Sequence, residues 1–394
     1  MTNPLLLLSE LGQSVWLDYL NRKLIEGGEL KRLIRDDALK GMTSNPSIFE
    51  KAIGEGDAYD DRIAAALDEG DRDAEGLFES LAIADIQAAA EQFAPVYDRL
   101  GGADGFVSLE VSPRLANDTE ATIGEARRLW RAVDRPNVMI KVPGTPAGTP
   151  AIRQLIGEGI NVNVTLLFGI EAYLAVAEAH MAGLESLKAQ GGDIRKVRGV
   201  ASFFVSRIDT AIDKAIDQRL ADAGEKEAVA LKALRGKVAI ASAKVAYQRW
   251  LELVETPRWR TLAEAGAAPQ RLLWASTGTK DPAYSDVLYV ETLIGPDTIN
   301  TMPVKTLNAF RDHGRVAATL TADVDGAGSV LAEVERLGLD LRRVTDRLVI
   351  DGVRQFEDAF DALLGAVARK RARILGRERS RDRASVARNQ ERPA

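Results

Sequence analysis

Lys141 sits in VMIKVP (138–143), where every neighbour is apolar. A lysine held between apolar walls forfeits hydration that favours its ammonium, and the free amine attacks carbonyls. The Schiff base so formed is an electron sink for making or breaking the adjacent carbon–carbon bond. Asp18 and Glu110 occupy comparable runs and offer general acid–base catalysis at two separate positions. Asn45, Asn163 and Thr165 add hydrogen-bonding groups in similar settings.

Whether these groups meet depends on strand parity, because alternate residues of a strand point to opposite faces. In NVNVTLLF (161–168), Asn161, Asn163 and Thr165 share one face against Val162 and Val164. Met139 and Lys141 oppose Val138, Ile140 and Val142, and Ser108 and Glu110 oppose Val107, Leu109 and Val111. Trp16 and Asp18 oppose Val15 and Leu17, while Thr43 and Asn45 lie together. One face is apolar each time, and the other carries polar groups near the C-terminal end of the run. A lysine, two carboxylates and two amides would be very costly as packing filler.

The positioning elements are eight short runs rich in β-branched residues: 14–20, 41–45, 106–111, 138–143, 161–168, 199–205, 272–277 and 298–303. Helical patterns separate them, the clearest being Ile208, Ile212, Ile216 and Leu220 at every fourth residue. Alternation of this kind predicts an α/β fold, a (β/α)8 TIM barrel, whose active sites lie at the C-terminal ends of the strands. The intervals 46–105 and 206–270 are long enough for two or more helices each. Residues 1–368 are expected to form this barrel with its extra helices. Residues 369–394 hold ten basic and three acidic side chains and read as a disordered, solvated tail. An electrostatic tether to an acidic partner is the alternative for that segment.

Composition narrows the chemistry. With no cysteine there is no disulfide scaffold, thiolate nucleophile or sulfur-ligated metal. The two histidines, His180 and His313, cannot build a three-histidine zinc site. A net charge of −6 argues against nucleic acid as the main partner. The start, MTNPLLLLSELG, lacks a basic stretch and a long apolar core; Asn3 as N-cap, Pro4 in the first turn and Gly12 beyond the end predict a helix. No run approaches the ~18 apolar residues of a spanning helix, so a soluble, cytoplasmic protein is expected.

Each candidate taken singly has a plainer role. Asp18 fits an amphipathic helix through WLDYLNRKLI, and Asn45 before Pro46 fits a helix N-cap. Lys141 can snorkel from a strand end, and Asn163 and Thr165 can be strand-edge polar residues. Ser202 and Ser276 can be core hydroxyls, Arg207 and Lys280 solvated charges, and His180 a half-exposed helix residue. None of these explains the same parity at the same end of five successive runs.

The motifs TSNPS (43–47), VSLEV (107–111) with SPRLANDT, MIKVPGTPAG (139–148) and NVNVTLLF (161–168) resemble the successive strand motifs of transaldolase. SFFVSR (202–207), ASTGTK (275–280) and NTMP (300–303) are similar to further motifs of its longer bacterial form. The resemblance runs in order from about residue 10 to 365, and the beginning also resembles the transaldolase portion of transaldolase–glucose-phosphate isomerase fusions. No isomerase-sized segment follows, so a stand-alone transaldolase is expected.

The resemblance implies transfer of a dihydroxyacetone unit between sugar phosphates of the pentose phosphate pathway, with no metal or other cofactor. It places Lys141 at the Schiff base, Asp18 at the C4-hydroxyl proton, and Glu110 with Thr165 at the water of carbinolamine formation and hydrolysis. Asn45, Asn163 and Ser202 match groups holding the dihydroxyacetone hydroxyls, and Arg207 and Ser276 match phosphate ligands. Shorter transaldolases have a second arginine where this chain has Gly278, and Lys280 is the nearest replacement. Aldolases of the same family that release free dihydroxyacetone tend to carry tyrosine at the position of Phe204, so the phenylalanine favours transfer. A barrel that senses sugar phosphate without turnover would not need Lys141, Asp18 and Glu110 together.

Overall fold

The computed structural model describes residues 3–70 and 72–390, with side chains through Gly376. Eight parallel strands close into a barrel in chain order: β1 (Gln13–Asp18), β2 (Leu39–Thr43), β3 (Phe106–Glu110), β4 (Val138–Pro143), β5 (Val162–Leu167), β6 (Gly199–Phe204), β7 (Arg271–Ala275) and β8 (Thr298–Met302). The expected (β/α)8 barrel is therefore the observed one. Each strand buries its apolar side against outer helices, as the one-sided alternation requires.

Extra helices fill the two long intervals, and others flank the barrel sequence at Pro4–Glu10 and after β8. Pro46–Gly54, Asp60–Asp68 and Ala74–Arg99 separate β2 from β3; Ser206–Leu220, Glu225–Leu234, Val238–Val254 and Pro257–Glu264 separate β6 from β7. The first helix runs from Pro4 to Glu10, and the Asn3 side chain accepts from the Leu5 N–H as its cap. Ile208, Ile212 and Ile216 are buried along one face of their helix.

Beneath the barrel mouth the interior is filled. Trp16 packs so closely on Gly41 that a Cβ there would lie 2.4 Å from the indole, which excludes any larger residue at that point of β2. The indole N–H donates to Asp104 at 2.8 Å, and Ser14 donates to the same carboxylate, closing the N-terminal end. The MIKVPGTPAG segment has a comparable cause. Gly148 approaches the Pro143 carbonyl so nearly that a Cβ would stand 1.9 Å from its oxygen, and Thr145 accepts from the Gly148 N–H at 2.9 Å.

The basic segment begins inside the helix Leu341–Gln390, which runs on without a break at 369. Its stem is held: Lys370 donates to the Gly56 carbonyl and to Asp60 at 2.9 Å, Arg373 pairs with Asp60, and Ile374 is buried. Apolar positions and specific acceptors thus carry the helix past the point where composition suggests a tail; residues 391–394 lie outside the described residues. His180 is 1% exposed instead of half-exposed, because the Ala-rich helix Ile170–Ala189 packs it against Gly199. Among the described residues no helix is long and apolar enough to cross a membrane.

Candidate active site

The register of the strands brings the predicted groups together. Glu110 pairs with Lys141 across β3 and β4, Lys141 with Asn163 across β4 and β5, and Asp18 with Thr43 across β1 and β2. The Lys141 ammonium is buried, 3.3 Å from Glu110, and donates to the Ser44 carbonyl at 3.1 Å. The Phe356 ring of the helix Leu341–Gln390 covers it, with Nζ 5.7 Å from the ring centroid. Snorkelling is excluded by that burial.

Lys141 opens onto a cleft of about 420 Å3 at the C-terminal ends of the strands. Asp18, Asn45, Ser202, Phe204, Arg207, Ser276 and Lys280 line the same cleft. Glu110, Asn163 and Thr165 do not line that cleft; Glu110 and Asn163 flank Lys141 on the neighbouring strands, and Thr165 pairs with Pro143 two residues further along β4. Asn163 donates to Ser108 at 3.0 Å and accepts from Ser202 at 2.7 Å, so its amide is held in one orientation. Asn45 is a helix cap, its Oδ1 accepting from the Ile48 N–H at 3.0 Å, and it also lines the cleft.

Burial sets the character of the two carboxylates. It pushes Asp18 above its usual range, against the opposing pull of Lys141, the Thr43 hydroxyl bond, Arg207 and Lys280. It pushes Glu110 up to about 7, with Lys141 acting in the opposite sense and Asp18 adding to the rise. Neither Glu110 oxygen makes a well-directed hydrogen bond among the described residues, and the buried Thr165 hydroxyl has no partner there either. Such groups are expensive in a core and useful beside a reacting amine. The Arg207 guanidinium, 5.3 Å above the Phe204 ring centroid, is held below its usual value by burial, with Asp18 counteracting. Lys280 is exposed at the rim.

Two residues at the mouth adopt left-handed backbone without being glycine: Ser276 at φ 56° and Leu166 at φ 60°, directly after Thr165. Leu166 falls where the β5–β6 register shifts. Strain of this kind persists only where the surroundings fix it, and it gathers at functional sites.

Several lining residues were not among the expected site residues. Thr43 donates to Asp18 at 2.7 Å and shares a 2.8 Å hydrogen bond with Thr301. Strand parity already puts Thr43 on the face of Asn45, so that signal was available. Tyr19, Ser47 and Lys51 line the β1–β2 side of the cleft, opposite the β6–β7 cations. Phe356 has no comparable sequence signal, because its place depends on how a distant helix crosses the barrel mouth.

Similarity to known proteins covers nearly the whole chain. The family model described as Transaldolase/Fructose-6-phosphate aldolase matches residues 15–367. A transaldolase of Thiobacillus denitrificans is 50% identical over 91% of this chain and 98% of its own length. A transaldolase of Trichodesmium erythraeum is 45% identical over 94% of this chain and 98% of its own. Transaldolase 1 of Streptomyces avermitilis is 51% identical over 92% of this chain and 94% of its own. The chain belongs to the transaldolase/fructose-6-phosphate aldolase family.

Proposed function

We propose that this protein is a transaldolase working through a Schiff base on Lys141. It moves a dihydroxyacetone unit from sedoheptulose 7-phosphate or fructose 6-phosphate to glyceraldehyde 3-phosphate or erythrose 4-phosphate. The observation that carries the reading is the buried Lys141 amine at the floor of the cleft, 3.3 Å from Glu110.

The Lys141 amine, its proton passed to Glu110, attacks the donor's C2 carbonyl. Glu110 returns a proton to the carbinolamine hydroxyl, which leaves as water, and the Thr165 hydroxyl orients that water. Asp18 takes the C4-hydroxyl proton, the C3–C4 bond breaks, and the aldehyde departs. The electron pair rests in the enamine until the acceptor aldehyde arrives; Asp18 then returns its proton to the new hydroxyl. Hydrolysis through Glu110 and Thr165 frees the lysine. Asn45, Asn163 and Ser202 hold the hydroxyls of the three-carbon unit. Arg207, Ser276 and Lys280 take the phosphate, for which cationic donors at the mouth are suited. The apolar ring of Phe204, with no hydroxyl to position water, favours transfer over release of free dihydroxyacetone.

Borohydride reduction with fructose 6-phosphate, followed by mass spectrometry of the peptides, tests this. The expected product is a three-carbon adduct on Lys141. An adduct on another lysine, or none from active protein, refutes the assignment.

A further inference from the structure

The helix Ser206–Leu220 starts where β6 ends, and its first turn carries Arg207 together with Ser206, bonded to Ser276 at 2.9 Å. Further along, Asp209 and Asp213 stand four residues apart, hence on one face, and both are buried. Buried carboxylates are tolerated when each oxygen is bonded, and here all four are. Asp209 accepts from the Ala239 N–H at 2.8 Å and from the Tyr289 hydroxyl at 2.9 Å. Asp213 accepts from the Gly236 N–H at 3.3 Å and from the Tyr284 hydroxyl at 2.7 Å. Gly236 has φ 68°, and a Cβ there would lie 2.8 Å from the Tyr284 ring, so this tyrosine seats on the one residue type that fits.

Tyr284 and Tyr289 belong to the β7–β8 connection, the segment that opens with Ser276 and Lys280. The connection is therefore tied to the Arg207 helix at its root, through Ser276 and Ser206, and at its far side, through the two tyrosines. We propose that the Asp213–Tyr284 and Asp209–Tyr289 pairs are positioning residues for phosphate: they fix the Ser276–Lys280 loop relative to Arg207 and so set the affinity for phosphorylated sugars. The proposal rests on the assignment of Arg207, Ser276 and Lys280 as phosphate ligands.

The composition of the loop explains why it needs fixing. A glycine stands at 278, and the cation at 280 is a lysine, a mobile point charge without the bidentate grip of arginine. The loop can then contribute mainly a serine hydroxyl and backbone N–H groups, whose directions serve only if the backbone is held. Ser276 in the left-handed region at φ 56° shows that the backbone is held, since an untied loop would relax it.

The test uses the full chain, with inorganic phosphate as competitive inhibitor of turnover and borohydride trapping of unphosphorylated dihydroxyacetone on Lys141 as the second readout. Tyr284→Phe keeps the ring and deletes the donor; Tyr289→Phe does the same at the second pair, so the test survives a folding defect in either. Each is expected to raise the phosphate Ki and the fructose 6-phosphate KM about five- to tenfold, with kcat within about twofold. Trapping of dihydroxyacetone should be unchanged. The Tyr284→Phe/Asp213→Asn double variant should be no weaker than Asp213→Asn alone, as for two halves of one contact. Unchanged Ki and KM in both tyrosine variants overturns the proposal, and so does an equal loss of dihydroxyacetone trapping, which would mark a general packing role. Arg207→Ala separates the layers. If it leaves phosphate inhibition untouched, the phosphate-site assignment itself has failed; if it weakens inhibition while the tyrosine variants do not, only the positioning role has.

Discussion

Replacing Glu110 with glutamine should slow Schiff-base formation and, at the same time, stabilise the fold in alkaline solution. The carboxyl is pushed from an ordinary 4.5 up to about 7 by burial. Near neutral pH an ordinary glutamic acid is almost wholly ionised, whereas burial lets this one keep a proton more readily, so it can serve as acid as well as base. Deleting such a positioned group typically costs ~10²–10⁴ in rate. Wild-type trapping of the donor by borohydride in a single turnover should change with an inflection near pH 7, and the Gln variant should lack it. The stability consequence has a definite sign. Because the folded value lies above the unfolded one, the folded state holds the proton more tightly, and stability falls as pH rises from 4.5 to about 7. Above that window the buried carboxylate costs about 3 kcal/mol, an order-of-magnitude figure from the displacement. The gain in Tm of Glu110→Gln over the parent should therefore be larger at pH 8 than at pH 4. A Gln variant that traps donor at the parental rate with the parental pH profile would refute the catalytic role, and a Tm difference independent of pH would refute the electrostatics.

Asp18→Asn should still form the Schiff base with donor while carbon–carbon cleavage drops by ~10²–10⁴, measured as trapped six-carbon rather than three-carbon adduct. Arg207→Ala should raise KM for fructose 6-phosphate more than Lys280→Ala does, because the guanidinium is partly buried over Phe204 and the ammonium is exposed at the rim. Steady-state kinetics of the two variants decide this. His180 is driven down to about 4 from 6.5 by burial, so the unfolded state binds the proton more tightly and stability is lost as pH falls from 6.5 to about 4. His180→Gln should remove up to about 3 kcal/mol of that acid-side loss, seen as a flatter Tm profile over the same window.

Most of the barrel is legible in the sequence because a parallel strand under helices must show one uniformly apolar face, and the polar exceptions then mark the interior. Lys141, Glu110 and Asn163 are recovered this way, since their parity and pairing register are the same fact seen along and across the sheet. What is not legible depends on distant packing. Phe356 covers Lys141 only because the helix Leu341–Gln390 crosses the mouth, with Thr345 near Gly169 and Asp361 beside Arg114. The basic composition after 369 gives no sign of the anchoring of Lys370 for a related reason: charge argues for solvent, but Lys370 finds a carbonyl between the first two helices that follow β2 and a carboxylate at the start of the second. His180 misleads in the opposite way, since a histidine among alanines gives no sign of which helix face turns inward.

The charges of the site also explain how one lysine can order the proton transfers. Lys141 lowers the proton affinity of both Asp18 and Glu110, and the two carboxylates are otherwise raised by burial. In the proposed reaction the amine passes from ammonium to neutral carbinolamine and then to a cationic imine. While the nitrogen is neutral, the restraint on Glu110 is lifted, so its carboxyl holds a proton when the carbinolamine hydroxyl needs one in order to leave. When the imine forms, positive charge returns beside both groups. Asp18 is then favoured as the carboxylate, the state that must accept the C4-hydroxyl proton, and its bond from Thr43 at 2.7 Å reinforces that state. Cleavage turns the cationic imine into a neutral enamine, and the restraint lifts again, so Asp18 keeps its proton until the acceptor aldehyde can receive it. On the proposed mechanism the cycle needs no separate timing device: the Lys141 nitrogen, 3.3 Å from Glu110 and electrostatically coupled to Asp18, would set when each proton moves as it alternates between charged and neutral.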